Sequence, residues 1–152
     1  MTSAPFSDPS RRDEGHPPEG HRDGESTFAS YRRAETLLSQ RRPLDAVQAL
    51  LPVLAAQPDD ASVQLLAGRA FLDSAQLRRA ETAFTRVLEI DPADHYARFA
   101  LGKSLQRQGR FTEALAQLRM AFAMEPRPEY QDAIGEVRAR IAIGDPDPLP
   151  ED

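Results

Sequence analysis

A period of 34 residues runs through the middle of the chain and restricts its fold more than any other feature of the sequence. Pro58, Pro92 and Pro126 follow one another at this interval. Small and apolar residues repeat at the same interval in four further columns: Leu37, Phe71 and Leu105; Ala46, Ala80 and Ala114; Leu50, Phe84 and Leu118; and Val53, Val87 and Ala121. A period of this length is typical of helix–turn–helix units that stack into a solenoid.

Each unit carries signals for two helices and for the turns around them. In the third unit Gly109 suits a tight turn, because glycine adopts a positive φ without strain. The proline near the end of each unit cannot continue a helix and therefore marks the boundary. The sequence predicts an all-α, right-handed α-solenoid with three repeats at about 27–60, 61–94 and 95–128.

One more amphipathic segment, 129–143, follows the third repeat. Its apolar residues step by four, three and four positions, as on one face of a helix: Tyr130, Ile134, Val137 and Ile141. We expect this segment to form a capping helix that closes the end of the stack.

The two ends of the chain differ in composition from the repeats. Residues 1–25 contain four prolines, three glycines and nine charged residues, too few apolar groups to offset the entropy of ordering them. Residues 144–152 contain three prolines and four acidic residues. The sequence therefore predicts two disordered acidic tails, 1–25 and 144–152, around a domain that spans 26–143.

Composition excludes several classes of protein. The chain has 152 residues, a net charge of −5 and no cysteine, so it has neither a disulfide framework nor cysteine metal ligands. It lacks the concentrated basic face of a nucleic-acid binder. The longest apolar stretch, 49–56, is too short to cross a membrane, and the first residues lack the apolar core of a secretory signal. We expect no nucleic-acid or membrane partner and a cytoplasmic location, and the excess of arginine over lysine favours a bacterial source.

Few residues in the chain could support catalysis. His16 and His21 lie in the acidic N-terminal segment without an ordered third ligand, and His95 begins a predicted helix as a surface residue. The sequence has no glycine-rich phosphate loop. We expect no metal, no cofactor and no enzymatic activity.

The repeat region, about 27–143, resembles the tetratricopeptide repeat family. The second unit keeps Gly68, Phe71, Ala80, Phe84 and Pro92, and the third keeps Leu101, Gly102, Ala114 and Pro126. The first unit is less typical, with Arg33 and Ala34 where the family usually has Leu-Gly, and no unit has the family's tryptophan. The resemblance implies that the first helix of each unit lines a concave face and the second helix builds the convex back.

On that basis the register predicts a partner-binding groove with an aromatic floor and a row of cations. The expected groove side chains are Phe28, Tyr31, Arg32, Leu65, Arg69, Tyr96, Phe99, Lys103 and Arg107. The same register also places Leu66 and Ala100 on this face. An alternative for the aromatic residues, Phe99 above all, is packing between neighbouring helices.

Such a groove suits a peptide or protein with apolar anchors and acidic neighbours, which indicates an adaptor or scaffold. Two alternatives stay open, a small bacterial chaperone that holds a client segment and a self-assembling structural protein. One subclass of the family clamps the C-terminal carboxylate of chaperone peptides with lysine, asparagine and arginine. The matching positions here are Tyr31, Glu35, Leu66, Tyr96 and Ala100, which disfavours that mode of binding.

Overall fold

A computed structural model describes residues 19–144 of the chain, with side chains over 26–144. These residues form seven α-helices and no strand: α1 (Glu19–Ser39), α2 (Pro43–Ala56), α3 (Ala61–Asp73), α4 (Leu77–Ile90), α5 (His95–Arg107), α6 (Phe111–Met124) and α7 (Pro128–Ala142). The first six helices form three antiparallel pairs, and α7 packs on the last pair. The predicted all-α solenoid is confirmed.

The start of α1 differs from the prediction. The segment 1–25 was expected to be disordered, yet α1 begins at Glu19 and so includes its last residues. Pro18 is the last proline of that segment, and every residue from Glu19 to Ser39 has a backbone N–H that a helix can use. The remainder of the N-terminal segment and the acidic segment after Gly144 lie outside the described residues.

A missing side chain at one position allows the two helices of a repeat to approach closely. A Cβ atom on Gly68 would lie 2.5 Å from Cε1 of Phe84, and one on Gly102 would lie 2.8 Å from Cδ2 of Leu118. Phe84 and Leu118 are themselves fully buried. Packing of the two helices therefore requires glycine at both positions.

The turn between the two helices has the same geometry in all three repeats. The second residue after the first helix adopts a positive φ, at Arg41 (57°), Ala75 (61°) and Gly109 (77°). The following N–H then donates back to the last turn of the helix, as in the 3.0 Å bond from Arg110 to the carbonyl of Leu105. This is the hydrogen bond of a Schellman cap, in which the residue with the positive φ is usually glycine. Only the third repeat has glycine at that position, at Gly109.

The solenoid has an inner and an outer layer of helices. Helix α1 contacts α3, α3 contacts α5 and α5 contacts α7, whereas no such contact joins α2, α4 and α6 within the described residues. The stack therefore curves with α1, α3, α5 and α7 on the concave side. Apolar side chains between the two layers form the core, among them Leu50, Val53, Phe84, Val87 and Leu118.

Both ends of the stack are closed by side chains suited to solvent. In the first repeat Arg33 is exposed, while its counterparts Ala67 and Leu101 are buried against the preceding helix pair. This explains why the first repeat departs from the family pattern. At the other end Tyr130, Ile134 and Val137 are buried, but Ile141 is 41% exposed and does not complete the predicted apolar face. Glu136 already lies beside Gln106 near the end of α5, so Ile141 extends beyond the helix it would cover.

Candidate functional site

All nine residues predicted to line the groove lie on the inner helices, and none of them is fully buried. The exposed members are Phe28, Arg32, Arg69, Tyr96 and Arg107, and the half-buried members are Tyr31, Leu65, Phe99 and Lys103. The most exposed aromatic ring is that of Phe28, at 67%. The inner face of α1, α3 and α5 therefore presents aromatic and cationic side chains to solvent, and we call this surface the groove.

Two other residues expected in the groove are not there. Leu66 is 4% exposed and Ala100 is 2% exposed, so both belong to the core. They follow Leu65 and Phe99 by one position, which turns each side chain by about 100° around the helix and into the space between the layers. The predicted groove face was therefore one residue too wide in α3 and in α5.

A pocket of about 300 Å³ opens at the first-repeat end of the groove. Its walls come from three helices and a loop: Thr27, Phe28, Tyr31, Val53, Gln57, Asp60, Ser62 and Val63. Burial raises the pKa of Tyr31 above its ordinary value, and the charges of Glu35 and Asp60 raise it further, while Arg69 and Arg32 act in the opposite direction. Tyr31 therefore presents a neutral hydroxyl at physiological pH.

The aromatic residues at the other end of the groove form a second cluster. The rings of Tyr96 and Phe99 are 6.3 Å apart, and Phe99 stacks on Tyr130 of α7 with centroids 4.5 Å apart. The Tyr130 hydroxyl is 2.8 Å from Nδ1 of His95. Phe99 thus packs between helices as well as lining the groove, and the aromatic floor is divided into two clusters. The apolar spacing of α7 predicted that Tyr130 is buried, but not that it stacks on a groove residue.

The four groove cations differ in whether they already have partners. Arg32 pairs with Glu35 at 3.2 Å, and Lys103 pairs with Glu136 at 3.7 Å. Arg107 donates from Nη1 to the carbonyl oxygen of Leu72 at 2.7 Å, which caps the C-terminal end of α3. Arg69 makes no ion pair or hydrogen bond with any other described residue.

A larger recess of about 540 Å³ lies where the inner helices end. It is lined by Leu38, Ser39, Arg41, Pro43, Asp73 and Arg107. Sequence reasoning did not find Arg41, although its position 68 residues before Gly109 marks it as the equivalent turn residue. Arg41 and Arg107 give this end of the groove a positive character that Asp73 offsets in part.

A protein-family model decides what kind of repeat this is. A model described as tetratricopeptide repeat matches residues 31–95 and again residues 65–128, which together cover more than half of the chain. The chain belongs to the tetratricopeptide repeat family. A search of curated proteins finds no match.

Solved tetratricopeptide repeat structures share the fold at low sequence identity. The Arabidopsis OM64 TPR domain matches 77% of this chain and 98% of its own, with 20% identity and a TM-score of 0.72. The second TPR domain of human RPAP3, in complex with an HSP70 peptide, matches 76% of this chain and 98% of its own, with 15% identity and a TM-score of 0.70. The MamA protein matches 84% of this chain and 69% of its own, with 16% identity and a TM-score of 0.74.

Over residues 26–144, whose side chains are described, no group of three or more histidine, aspartate or glutamate side chains is placed to hold a metal ion. Over the same part of the chain, no helix is long and apolar enough to cross a membrane.

Proposed function

We propose that this chain is a non-catalytic protein-interaction module, an adaptor or scaffold, that binds a partner peptide or protein in its groove. The observation that carries the proposal is the exposure of aromatic side chains on the inner face, with Phe28 at 67% and Tyr96 at 38%. Large apolar side chains that remain exposed beside cations on a curved surface are typical of binding sites. The shared fold with the second TPR domain of human RPAP3, whose structure is a complex with an HSP70 peptide, supports a peptide-binding role.

The way this groove recognises its partner differs from carboxylate clamping of chaperone peptides. Two of the five clamp positions hold Leu66 and Ala100, which are buried. Two others hold Tyr31 and Tyr96, which are neutral donors and not cations. We infer a partner with apolar anchors and acidic side chains, in place of a peptide that is recognised by its C-terminal carboxylate.

Affinity capture with matched variants tests the proposal. The groove variant carries Phe28→Ala, Tyr31→Ala, Leu65→Ala and Tyr96→Ala, and it leaves Phe99 in place because Phe99 supports α7. The control carries Leu44→Ala and Leu51→Ala on α2, whose side chains are 64% and 48% exposed on the outer layer. Circular dichroism confirms that each variant keeps its helices.

We expect wild type and control to capture the same protein and the groove variant to lose it. Equal capture by all three would place the binding surface elsewhere. Light scattering over a range of concentrations addresses the alternatives: a monomer favours the adaptor, a dimer that dissociates when it meets a client favours the chaperone, and concentration-dependent growth favours self-assembly.

A further inference from the structure

Arg69 lies at the centre of the groove and has no ion-pair or hydrogen-bond partner among the described residues. It lies on α3, the inner helix that contacts both α1 and α5, one turn before the last residue of that helix, and its charge acts on Tyr31 of α1 and on Tyr96 of α5. No described residue accepts a hydrogen bond from Arg69, so the five N–H donors of its guanidinium group are unused within this part of the chain.

The two tyrosines beside Arg69 can add two more donors. Burial raises the pKa of Tyr31 and that of Tyr96, so both phenols stay protonated at physiological pH. Neither hydroxyl is hydrogen-bonded to another residue in the described part of the chain. Arginine and tyrosine are also the residue types that contribute most often to the energetic centre of an interface.

The acidic residues near this point do not neutralise Arg69. Asp60 and Asp94 each accept a backbone N–H at the start of a helix, at 3.1 Å and 2.9 Å. Glu35 is paired with Arg32. Asp73, one helical turn from Arg69, does not come within ion-pair distance of it. Among the described residues, the positive charge at the centre of the groove therefore has no ion-pair partner.

An apolar pocket adjoins the same point. Tyr31 is a wall of the 300 Å³ pocket, together with Phe28, Val53 and Val63. A pocket of this size accommodates one aliphatic or small aromatic side chain. A ligand segment that crosses α1 and α3 at Tyr31 can therefore place an apolar side chain in this pocket and a charged group near Arg69.

We propose that Arg69, Tyr31 and Tyr96 form a binding site for a side-chain carboxylate of the partner, and that an apolar side chain of the same segment fills the pocket beside Tyr31. This inference rests on the proposed function and names the chemistry that the groove selects. The recognised group is an internal aspartate or glutamate next to an apolar residue. The site therefore also accepts segments from within a folded or extended chain.

Capped peptides titrated into the full-length protein test the site. Each peptide is acetylated and amidated and holds one leucine and one glutamate, separated by zero, one or two glycines. The isosteric control replaces glutamate by glutamine. Two-dimensional NMR follows the Arg69 side-chain Nε–H group and the backbone amides of Tyr31 and Tyr96. We expect the glutamate peptide of the best spacing to bind at least about tenfold more tightly than its glutamine control, since charge-assisted hydrogen bonds are the stronger kind.

Two protein variants of equal charge locate the effect. Arg69→Gln is expected to abolish the difference between glutamate and glutamine peptides, while Arg119→Gln preserves it, because Arg119 lies at an exposed position of the outer helix α6 and away from the groove. Equal binding of both peptides, or an equal effect of both variants, overturns the inference and leaves the groove as a peptide-binding surface. Failure of every peptide to bind the groove also overturns the inference, and the capture experiment then decides the proposed function independently.

Discussion

At the scale of single residues, the packing of the two helices of a repeat requires glycine at particular positions. Gly68 and Gly102 lie against large buried side chains of the partner helix, while Gly135 on α7 has the same kind of helical setting but nothing within 4 Å of a Cβ atom. The same residue type is therefore required at two positions and unnecessary at the third.

Alanine substitution should have opposite effects at these glycines. Gly68→Ala is expected to lower the free energy of unfolding by about 1–3 kcal/mol, because its Cβ would overlap the buried ring of Phe84. Gly135→Ala is expected to raise it by up to about 1 kcal/mol, because alanine is the better helix former. Urea unfolding followed by circular dichroism measures both. Similar losses for the two variants would contradict the packing account.

The turn residues allow a second prediction at this scale. Ala75 has a φ of 61° and Gly109 a φ of 77°, in the region that favours glycine. Ala75→Gly should raise the free energy of unfolding by up to about 1 kcal/mol, and Gly109→Ala should lower it by about the same amount. No atom lies within 4 Å of a Cβ at Gly109, so any change there reflects backbone conformation alone. Thermal unfolding of both variants checks the signs.

At the scale of helices, successive repeats are joined by a polar cluster that spans α4 and the turn before α6. Arg110 pairs with Glu81 at 2.8 Å, and Gln108 donates to Glu81 at 3.0 Å. Partial burial alone would raise the pKa of Glu81, but the hydrogen bonds from Gln108 and Arg110 outweigh it and hold the pKa below its ordinary value. The cluster is therefore stabilising only while Glu81 is ionised.

This cluster should make stability depend on pH in the acid range. The folded state binds a proton at Glu81 less readily than the unfolded chain, so the stabilisation is present above pH 4.5 and is lost as the pH falls through the lowered value. Glu81→Gln is expected to reduce the difference in urea midpoint between pH 6 and pH 3. Glu125→Gln, at an exposed position after α6, serves as the control. An equal pH dependence in wild type and both variants would rule out this role.

The helices and their pairing could be predicted from the sequence because the repeat gives each buried position three times. The repeat pattern could not predict features that occur only at the two ends of the stack. The early start of α1 at Glu19 and the exposure of Ile141 both occur where a helix extends past its neighbours. Leu66 and Ala100 were misplaced because neighbouring positions on a helix both lie close to the border between groove and core.

At the scale of the whole molecule, α7 protects the last repeat. Tyr130 is fully buried, stacks on Phe99 and contacts His95 through its hydroxyl. In a solenoid each unit contacts only its neighbours, so the loss of a terminal helix is felt first by the repeat beside it.

Removal of the Tyr130 ring should therefore unfold one end of the stack before the other. Tyr130→Ala is expected to lower the free energy of unfolding by about 3–5 kcal/mol, and Tyr130→Phe by about 1 kcal/mol through the lost hydrogen bond. Hydrogen exchange should show that α5, α6 and α7 lose protection earlier than α1 to α4. A uniform loss of protection over all the described helices would instead indicate that they unfold as a single cooperative unit.

The groove was predictable in outline but not in its detail. The position of Tyr31, Arg69 and Tyr96 on the inner helices follows from the repeat register alone. Which cations are already paired depends on contacts between different helices, such as Lys103 with Glu136, and these cannot be read from spacing within one helix. The stacking of Phe99 on Tyr130 is another contact of this kind.

The central claim is that the partner binds the inner face, and site-directed cross-linking tests it most directly. The chain has no cysteine, so a single Ser62→Cys on the exposed groove side of α3 or Thr85→Cys on exposed α4 gives one labelling site. Each variant carries a photoactivatable cross-linker and is mixed with the captured partner. We predict a cross-link from position 62 and none from position 85. A cross-link from position 85 alone would show that the outer face, and not the groove, is the binding surface.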